Sequence, residues 1–190
     1  MPNDQQRLVK ISKFLSLVLR HQPDKIGITL DKAGWVAVDE LLRACQQHSF
    51  PITLEELKIV VATSDKKRFA FNEDGTQIRA NQGHSVDVDL QLLPTVPPTT
   101  LYHGTATRFV DSIERHGLLK QSRQHVHLSA ELETAITVGR RHGQPFIFEV
   151  DCQAMLNDGF VFYLAANGVW LTDHVPSKYL SASSRNREWT

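Results

Sequence analysis

The segment Leu93-Pro-Thr-Val-Pro-Pro-Thr-Thr100 constrains this chain more than any other. Its prolines at 94, 97 and 98 fix φ and remove backbone donors, so it suits neither a helix nor a central strand. It divides a chain of 190 residues into two stretches of small-domain size. The expected organisation is a first unit over residues 1–92, a linker over 93–100 and a second unit over 101–190. Basic and acidic residues are equal in number on both sides of Thr95, so proline marks the boundary and charge does not.

The charge balance also limits function. Lys and Arg number 21, as do Asp and Glu, so bulk positive charge cannot be the grip on a nucleic acid. Any such binding has to come from a local cluster. The longest apolar run, Phe160 to Ala166, falls well short of the roughly 18 residues of a membrane span. The opening Met1-Pro-Asn-Asp-Gln-Gln lacks a basic-then-apolar export signal. Cys45 and Cys152 build neither a disulfide framework nor a zinc knuckle. Together these predict a cytoplasmic protein with no membrane partner; a monomer is the default.

In the first stretch, Ile11, Phe14, Leu15, Val18 and Leu19 recur at helical spacing and predict an amphipathic helix over 7–21, ended by Pro23. After Gly34, Trp35-Val-Ala-Val leads into a second helix with Asp39 available as its cap. Thr53-Leu-Glu-Glu56 has the capping-box pattern for a third, Leu54 to about Ala62. Arg68-Phe-Ala-Phe71, Asn72-Glu-Asp-Gly75 and Gln77-Ile-Arg-Ala80 then read as a β-hairpin. Three helices followed by a hairpin is the order of a winged helix. The second stretch mixes strands and helices irregularly: a strand ending in Tyr102-His-Gly-Thr105, a helix from about Ala106 to Gly117, a strand over His125–Ser129, a helix over Ala130–His142 and a strand over Pro145–Val150. Short strands are expected at Val161–Leu164, Val169–Thr172 and Lys178–Leu180. The fold class is therefore α+β.

Several residues are unusual for folding alone. Arg20 falls opposite the apolar stripe of the first helix with His21 on its flank, which by pattern is either a solvated charge with a dipole-favoured histidine or a functional pair. Ser64-Asp-Lys-Lys-Arg-Phe69 is a short basic run in which Arg68 should point away from Phe69. Arg79, His84 and Ser85 surround Gly83, a residue that can shape a turn or let a ligand approach. His103-Gly104-Thr105 reads as a strand-to-helix turn, where free N–H groups suit phosphate. At period two, Arg123, His125, His127 and Ser129 line one strand face. His-x-His can supply two metal ligands, but a third at fixed spacing is missing. A polar, substrate-facing strand is the better reading, with Ser129 either a ligand contact or the cap of the next helix.

Taken in order, Leu15-Ser-Leu-Val-Leu-Arg-His21, Gly34-Trp35, Lys66-Lys-Arg-Phe69, Ile78-Arg-Ala-Asn-Gln-Gly-His-Ser85, Tyr102-His-Gly-Thr105, His125-Val-His-Leu-Ser129 and Asn167-Gly-Val-Trp-Leu-Thr172 resemble the RNA 2′-phosphotransferases, in particular the bacterial relatives of the last enzyme of fungal tRNA splicing. The resemblance covers nearly the whole chain. It implies a winged-helix lobe, an ADP-ribosyltransferase-like lobe that binds NAD, and an active site in the cleft between them. It also implies a two-step reaction. An internal RNA 2′-phosphate displaces nicotinamide from NAD, giving an ADP-ribosylated RNA phosphate. The neighbouring ribose 2″-hydroxyl then attacks phosphorus, releasing 2′-hydroxyl RNA and ADP-ribose 1″,2″-cyclic phosphate. By the same resemblance Arg20, His21, Arg68 and Arg123 are the catalytic set, with Lys66 in support. NAD contacts are expected at His103, Gly104, Thr105, His125, His127 and Ser129, weaker RNA-phosphate contacts at Arg79, His84 and Ser85, and no metal is required.

Two other readings stay open on sequence: an ADP-ribosyltransferase that modifies nucleic-acid phosphates or protein, and a non-catalytic winged-helix nucleic-acid binder.

Overall fold

The computed structural model describes residues 2–64 and 66–188. The chain forms two compact units, Met1–Gln91 and Leu92–Thr190, and both mix helix with sheet. The architecture is α+β.

The first unit is built on α1 (Pro2–Val18). Ile11, Leu15, Val18 and Leu19 are fully buried, the i, i+4, i+7, i+8 stripe that gives a surface helix one apolar face. Regular helix stops at Val18 rather than 21. His21 N and Gln22 N both donate to the Leu17 carbonyl, at 3.0 and 2.9 Å, so the chain unwinds as it approaches Pro23, whose ring disfavours helical backbone at Gln22.

A short strand, β1 (Val36–Ala37), precedes α2 (Val38–Gln47). The N-cap of α2 is Ala37, with no side-chain cap bond. The expected cap Asp39 lies inside the first turn, where its charge favours the helix dipole. The shift arises because Val36 pairs with Ile78 and Val38 N donates to Thr76 O, which keeps Ala37 extended. α3 (Leu54–Ala62) starts as anticipated: Glu56 N donates to Thr53 Oγ1 at 3.1 Å and Thr53 N to Glu56 Oε2 at 2.9 Å. β2 (Phe69–Phe71) and β3 (Gln77–Ala80) close an antiparallel hairpin, and the sheet order is β1-β3-β2.

Arg7 of α1 grips the same Glu56 and also donates to Pro51 O. Its hydrogen bond is the main cause that pulls the Glu56 carboxyl down to about 2. A carboxylate whose pKa is lower in the folded state stabilises it above the ordinary carboxylate range, and that stabilisation fades as pH falls towards the folded value. Urea midpoints should therefore drop between about pH 4.5 and pH 2, and the drop should be shallower in Arg7→Met.

In the second unit, β7 (Pro145–Asp151) is the middle strand of a sheet of order β11-β7-β4, between β4 (Thr100–Ala106) and β11 (Leu180–Ala182). Between β4 and β7 the chain makes α4 (Val110–His116), β5 (Leu118–Leu119), β6 (Val126–Leu128) and α5 (Leu132–Gly139). After β7 come α6 (Cys152–Asn157), β8 (Tyr163–Leu164), β9 (Trp170–Thr172) and β10 (His174–Val175). β6, β9 and β8 form a second sheet in that order. A bridge between Tyr102 and Ser129 joins the two sheets.

Three expectations change here. His103–Thr105 lies in mid-strand, not at a strand-to-helix turn, because β4 pairs with β7 as far as Ala106. Arg123 precedes β6 on a bend whose backbone is tied to Lys120 O. Ser177–Tyr179 is a 3-10 turn, and strand begins only at Leu180. The proline segment is also more engaged than a free tether: Pro94 bridges to Tyr163 and Thr95 N donates to Phe162 O.

Gly104 explains how α5 sits on β4. A Cβ at this position would stand 1.8 Å from Ala135 O and 2.6 Å from its carbonyl carbon. The helix backbone rests directly on the strand, which only glycine allows. Among the described residues, no helix is long and apolar enough to cross a membrane.

Candidate active site

Arg20 and His21 sit where α1 ends, and the segment after β3 fastens them. The Arg20 carbonyl, left without an intrahelical partner at the helix end, accepts from Ser85 N at 2.9 Å and Val86 N at 3.3 Å. His21 Nδ1 lies 2.9 Å from Ser85 Oγ. The Arg20 guanidinium is half-buried, 5.8 Å from the centre of the Phe69 ring, and Nη2 makes a long 3.4 Å bond to Arg68 O. That carbonyl also accepts from Asn81 N at 2.9 Å. Arg68 in turn donates from N and Nη1 to Ser64 Oγ, each at 3.4 Å. Arg20, His21 and Arg68 are thus held together within the first unit. Lys66 is exposed beside them in sequence; Asp65 lies outside the described residues.

Sequence reading missed three residues that build this arrangement. Asn81 Nδ2 donates to Lys67 O, holding Lys67 at φ 38°. Ser64 carries Arg68. Trp35 lies 4.5 Å under the Arg79 guanidinium, whose Nη1 donates to Ala33 O at 3.4 Å. Burial lowers the Arg79 pKa. The available signal was the density of polar groups in Arg79-Ala-Asn-Gln-Gly-His-Ser85, too many for a plain turn.

His84, anticipated at an RNA-phosphate contact, is 1% exposed. It packs beside Gly34, where a Cβ would stand 3.5 Å from His84 Nε2, at ordinary contact distance. The ring is therefore packed inside the unit, while Ser85 beside it is exposed. Burial, and then the charges of Arg20, His21 and Arg79, hold the His84 pKa at about 4. The unfolded chain, with an ordinary histidine near 6.5, binds the proton first as pH falls. The first unit should keep full stability above about pH 6.5 and lose on the order of 3 kcal/mol by pH 4. Urea unfolding at pH 7 and pH 4.5 checks this; a His84→Gln chain should lose less across that window.

In the second unit, Val126 and Leu128 are buried and His127 between them is half-buried, as period two requires. His103 Nδ1 donates to the His127 carbonyl at 3.1 Å. The roles are fixed, because a carbonyl only accepts. Burial lowers the His103 pKa, which favours a neutral ring with its acceptor at Nε2. Arg123 folds back from its bend so that Nη1 lies 3.0 Å from His127 Nδ1. His125 meets the Tyr163 ring edge-on at 5.7 Å, and desolvation lowers its pKa. Thr105 is buried. Ser129 Oγ donates to Glu131 O at 3.0 Å and accepts from Glu131 N at 3.3 Å, so it shapes the approach to α5, whose N-cap is Glu131. Among the described residues, no three His, Cys, Asp or Glu side chains converge as a metal-ligating group.

The Arg20 guanidinium and His21 imidazole lie at one helix end, and Arg68 is tied to Arg20 through its carbonyl; guanidinium and imidazole donors are the kind that suit a phosphate. A family profile described as RNA 2′-phosphotransferase, Tpt1/KptA family, matches residues 6–174. Relatives named "Probable RNA 2′-phosphotransferase" are similar along nearly their whole length. That of Trichormus variabilis is 59% identical over 93% of this chain and 97% of its own. Those of Nostoc punctiforme and Streptomyces coelicolor are 60% and 54% identical, over 92% and 93% of this chain and 96% of each relative. The chain belongs to the RNA 2′-phosphotransferase family and is an enzyme.

Proposed function

We propose that this protein removes an internal 2′-phosphate from RNA by transferring it to NAD, which is consumed as a substrate. The observation that carries the reading is the clustering of Arg20, His21 and Arg68 at the end of α1. The helix–strand–helix–helix–hairpin order and the β1-β3-β2 pairing support a winged-helix first unit, and an ADP-ribosyltransferase-like second unit is the matching reading of residues 92–190. NAD would meet the second unit around His103, Thr105, His125 and Ser129, with Gly104 serving mainly to seat α5.

A phosphate monoester reacts once its charge is gathered and its oxygens oriented. Guanidinium groups do this with paired donors and stay protonated throughout. In the first step the phosphate is already anionic, so it needs no base, and the protein's contribution is alignment with the anomeric carbon. In the second step charge builds on phosphoryl oxygens. Arg20, Arg68 and Arg123 act most strongly there, because preorganised donors stabilise developing charge. His21 passes or receives a proton at the phosphate or the 2″-hydroxyl, and Lys66 adds to the local positive field. The products are 2′-hydroxyl RNA, nicotinamide and ADP-ribose 1″,2″-cyclic phosphate.

Nicotinamide release tests the reading. An oligonucleotide with one internal 2′-phosphate should trigger release from NAD, and the same oligonucleotide without it should not. Release indifferent to the 2′-phosphate would overturn it.

A further inference from the structure

The contact between Arg123 and His127 carries more information than its length. A guanidinium only donates hydrogen bonds, so the His127 Nδ1 that faces Arg123 Nη1 at 3.0 Å has to accept. The ring is then neutral at Nδ1 and carries its proton on Nε2. The same residue accepts again through its carbonyl, from His103 Nδ1. Its backbone is well fixed: it pairs with Leu171 of β9, and buried Val126 and Leu128 flank it. Arg123, by contrast, is exposed on a bend.

We propose that His127 is a positioning residue for Arg123, its Nδ1 holding the guanidinium in the orientation needed at the transferred phosphate. This rests on the assignment of Arg123 to the phosphate given above. It gives His127 a different task from direct NAD contact. An exposed arginine samples many rotamers, and a bond from a fixed strand selects among them. The choice of acceptor matters. A carboxylate in this place would neutralise the guanidinium and compete with the phosphate for it. A neutral imidazole orients it and leaves its full charge for the substrate. Polar groups that meet His127 include the Arg123 guanidinium from the bend, at its ring, and His103 from β4, at its carbonyl; in β9 its backbone partner is Leu171.

The test compares His127→Ala with His127→Asn, whose side-chain oxygen can accept near the position of Nδ1. With 2′-phosphorylated oligonucleotide and NAD, His127→Ala should slow the second step by about tenfold or more, with nicotinamide release and RNA affinity within about twofold of the unaltered chain. His127→Asn should recover most of that loss. A merely structural role predicts that both variants suffer alike, and that result overturns the proposal. A second arm needs no activity. Long-range proton–nitrogen NMR of the unaltered chain should show His127 protonated at Nε2, with the Nδ1 signal shifting in Arg123→Ala. A ring protonated at Nδ1 in the unaltered chain also overturns it. If the unaltered chain neither releases nicotinamide nor transfers phosphate, the functional reading fails, and the NMR arm alone decides the Arg123–His127 contact.

Discussion

An Arg123→Ala enzyme given 2′-phosphorylated RNA and NAD should release nicotinamide and then stall, accumulating RNA with ADP-ribose attached through its 2′-phosphate. The expected loss in the second step is about 10²–10³-fold, the size seen when one preorganised donor is removed from a developing oxyanion. The asymmetry follows from the charge changes. In the first step the phosphate gives up charge to a cationic sugar centre, so an arginine gripping its oxygens helps orient it but gains little in the transition state. In the second, negative charge builds on those oxygens, and only groups bound more tightly there raise the rate. Arg123 stands in this structure with its guanidinium already directed by His127, so little reorganisation remains. Gel separation of the RNA species gives the readout. If both steps slow equally, the proposed division between positioning and charge stabilisation is wrong.

Gly104→Ala should disrupt the second unit, although it adds only one methyl group. The new Cβ would stand 1.8 Å from Ala135 O, and both it and the helix backbone opposite belong to regular elements with no side chain to swing aside. Relief requires α5 to lift off β4, exposing Ala135, Ile136 and Ile147, which are almost wholly buried now. Overpacking in cores typically costs 1–3 kcal/mol; a backbone overlap this deep should reach about 3 kcal/mol or more. Hydrogen exchange should then show β4 and β7 amides losing protection while α1 and α3 keep theirs. Wild-type protection in β4 would rule out this account of the glycine. Activity should fall with stability, since His103 and Thr105 lie on the same strand.

Features written in local sequence were readable from it. The capping box at Thr53–Glu56, the turn at Asn72–Gly75 and the alternation through Val126, His127 and Leu128 depend on neighbours a few residues away, and each has a short-range physical cause. What depended on distant pairing was not. Ala37 caps α2 because Val36 pairs with Ile78, some forty residues on. His103-Gly104-Thr105 looks like a turn because glycine there suggests a bend, while its actual reason is a helix thirty residues later. Period two predicts Arg123 on a strand face; it is on a bend, yet its guanidinium still meets His127. The arginines and histidine of the candidate site were visible as residues out of place for folding. Of the residues that hold them, Ser85 and Asn81 lie in the polar run after Arg79 that stands out by composition, but their partners, the carbonyls of Arg20, Lys67 and Arg68, do not; Ser64 acts through a single hydroxyl that spacing does not reveal.

The zero net charge fits a protein that must hold one extra phosphate rather than follow a backbone. RNA affinity should accordingly depend on the 2′-phosphate, with a shallow dependence on salt. The most direct measurement of the central claim follows the phosphorus itself. An oligonucleotide carrying a radiolabelled phosphate at one internal 2′ position is mixed with the protein and NAD, and the label is traced by chromatography. The account predicts that the label leaves the RNA and appears in ADP-ribose 1″,2″-cyclic phosphate, with release requiring NAD. Label recovered as inorganic phosphate, or retained on RNA as a stable ADP-ribose adduct, would contradict it.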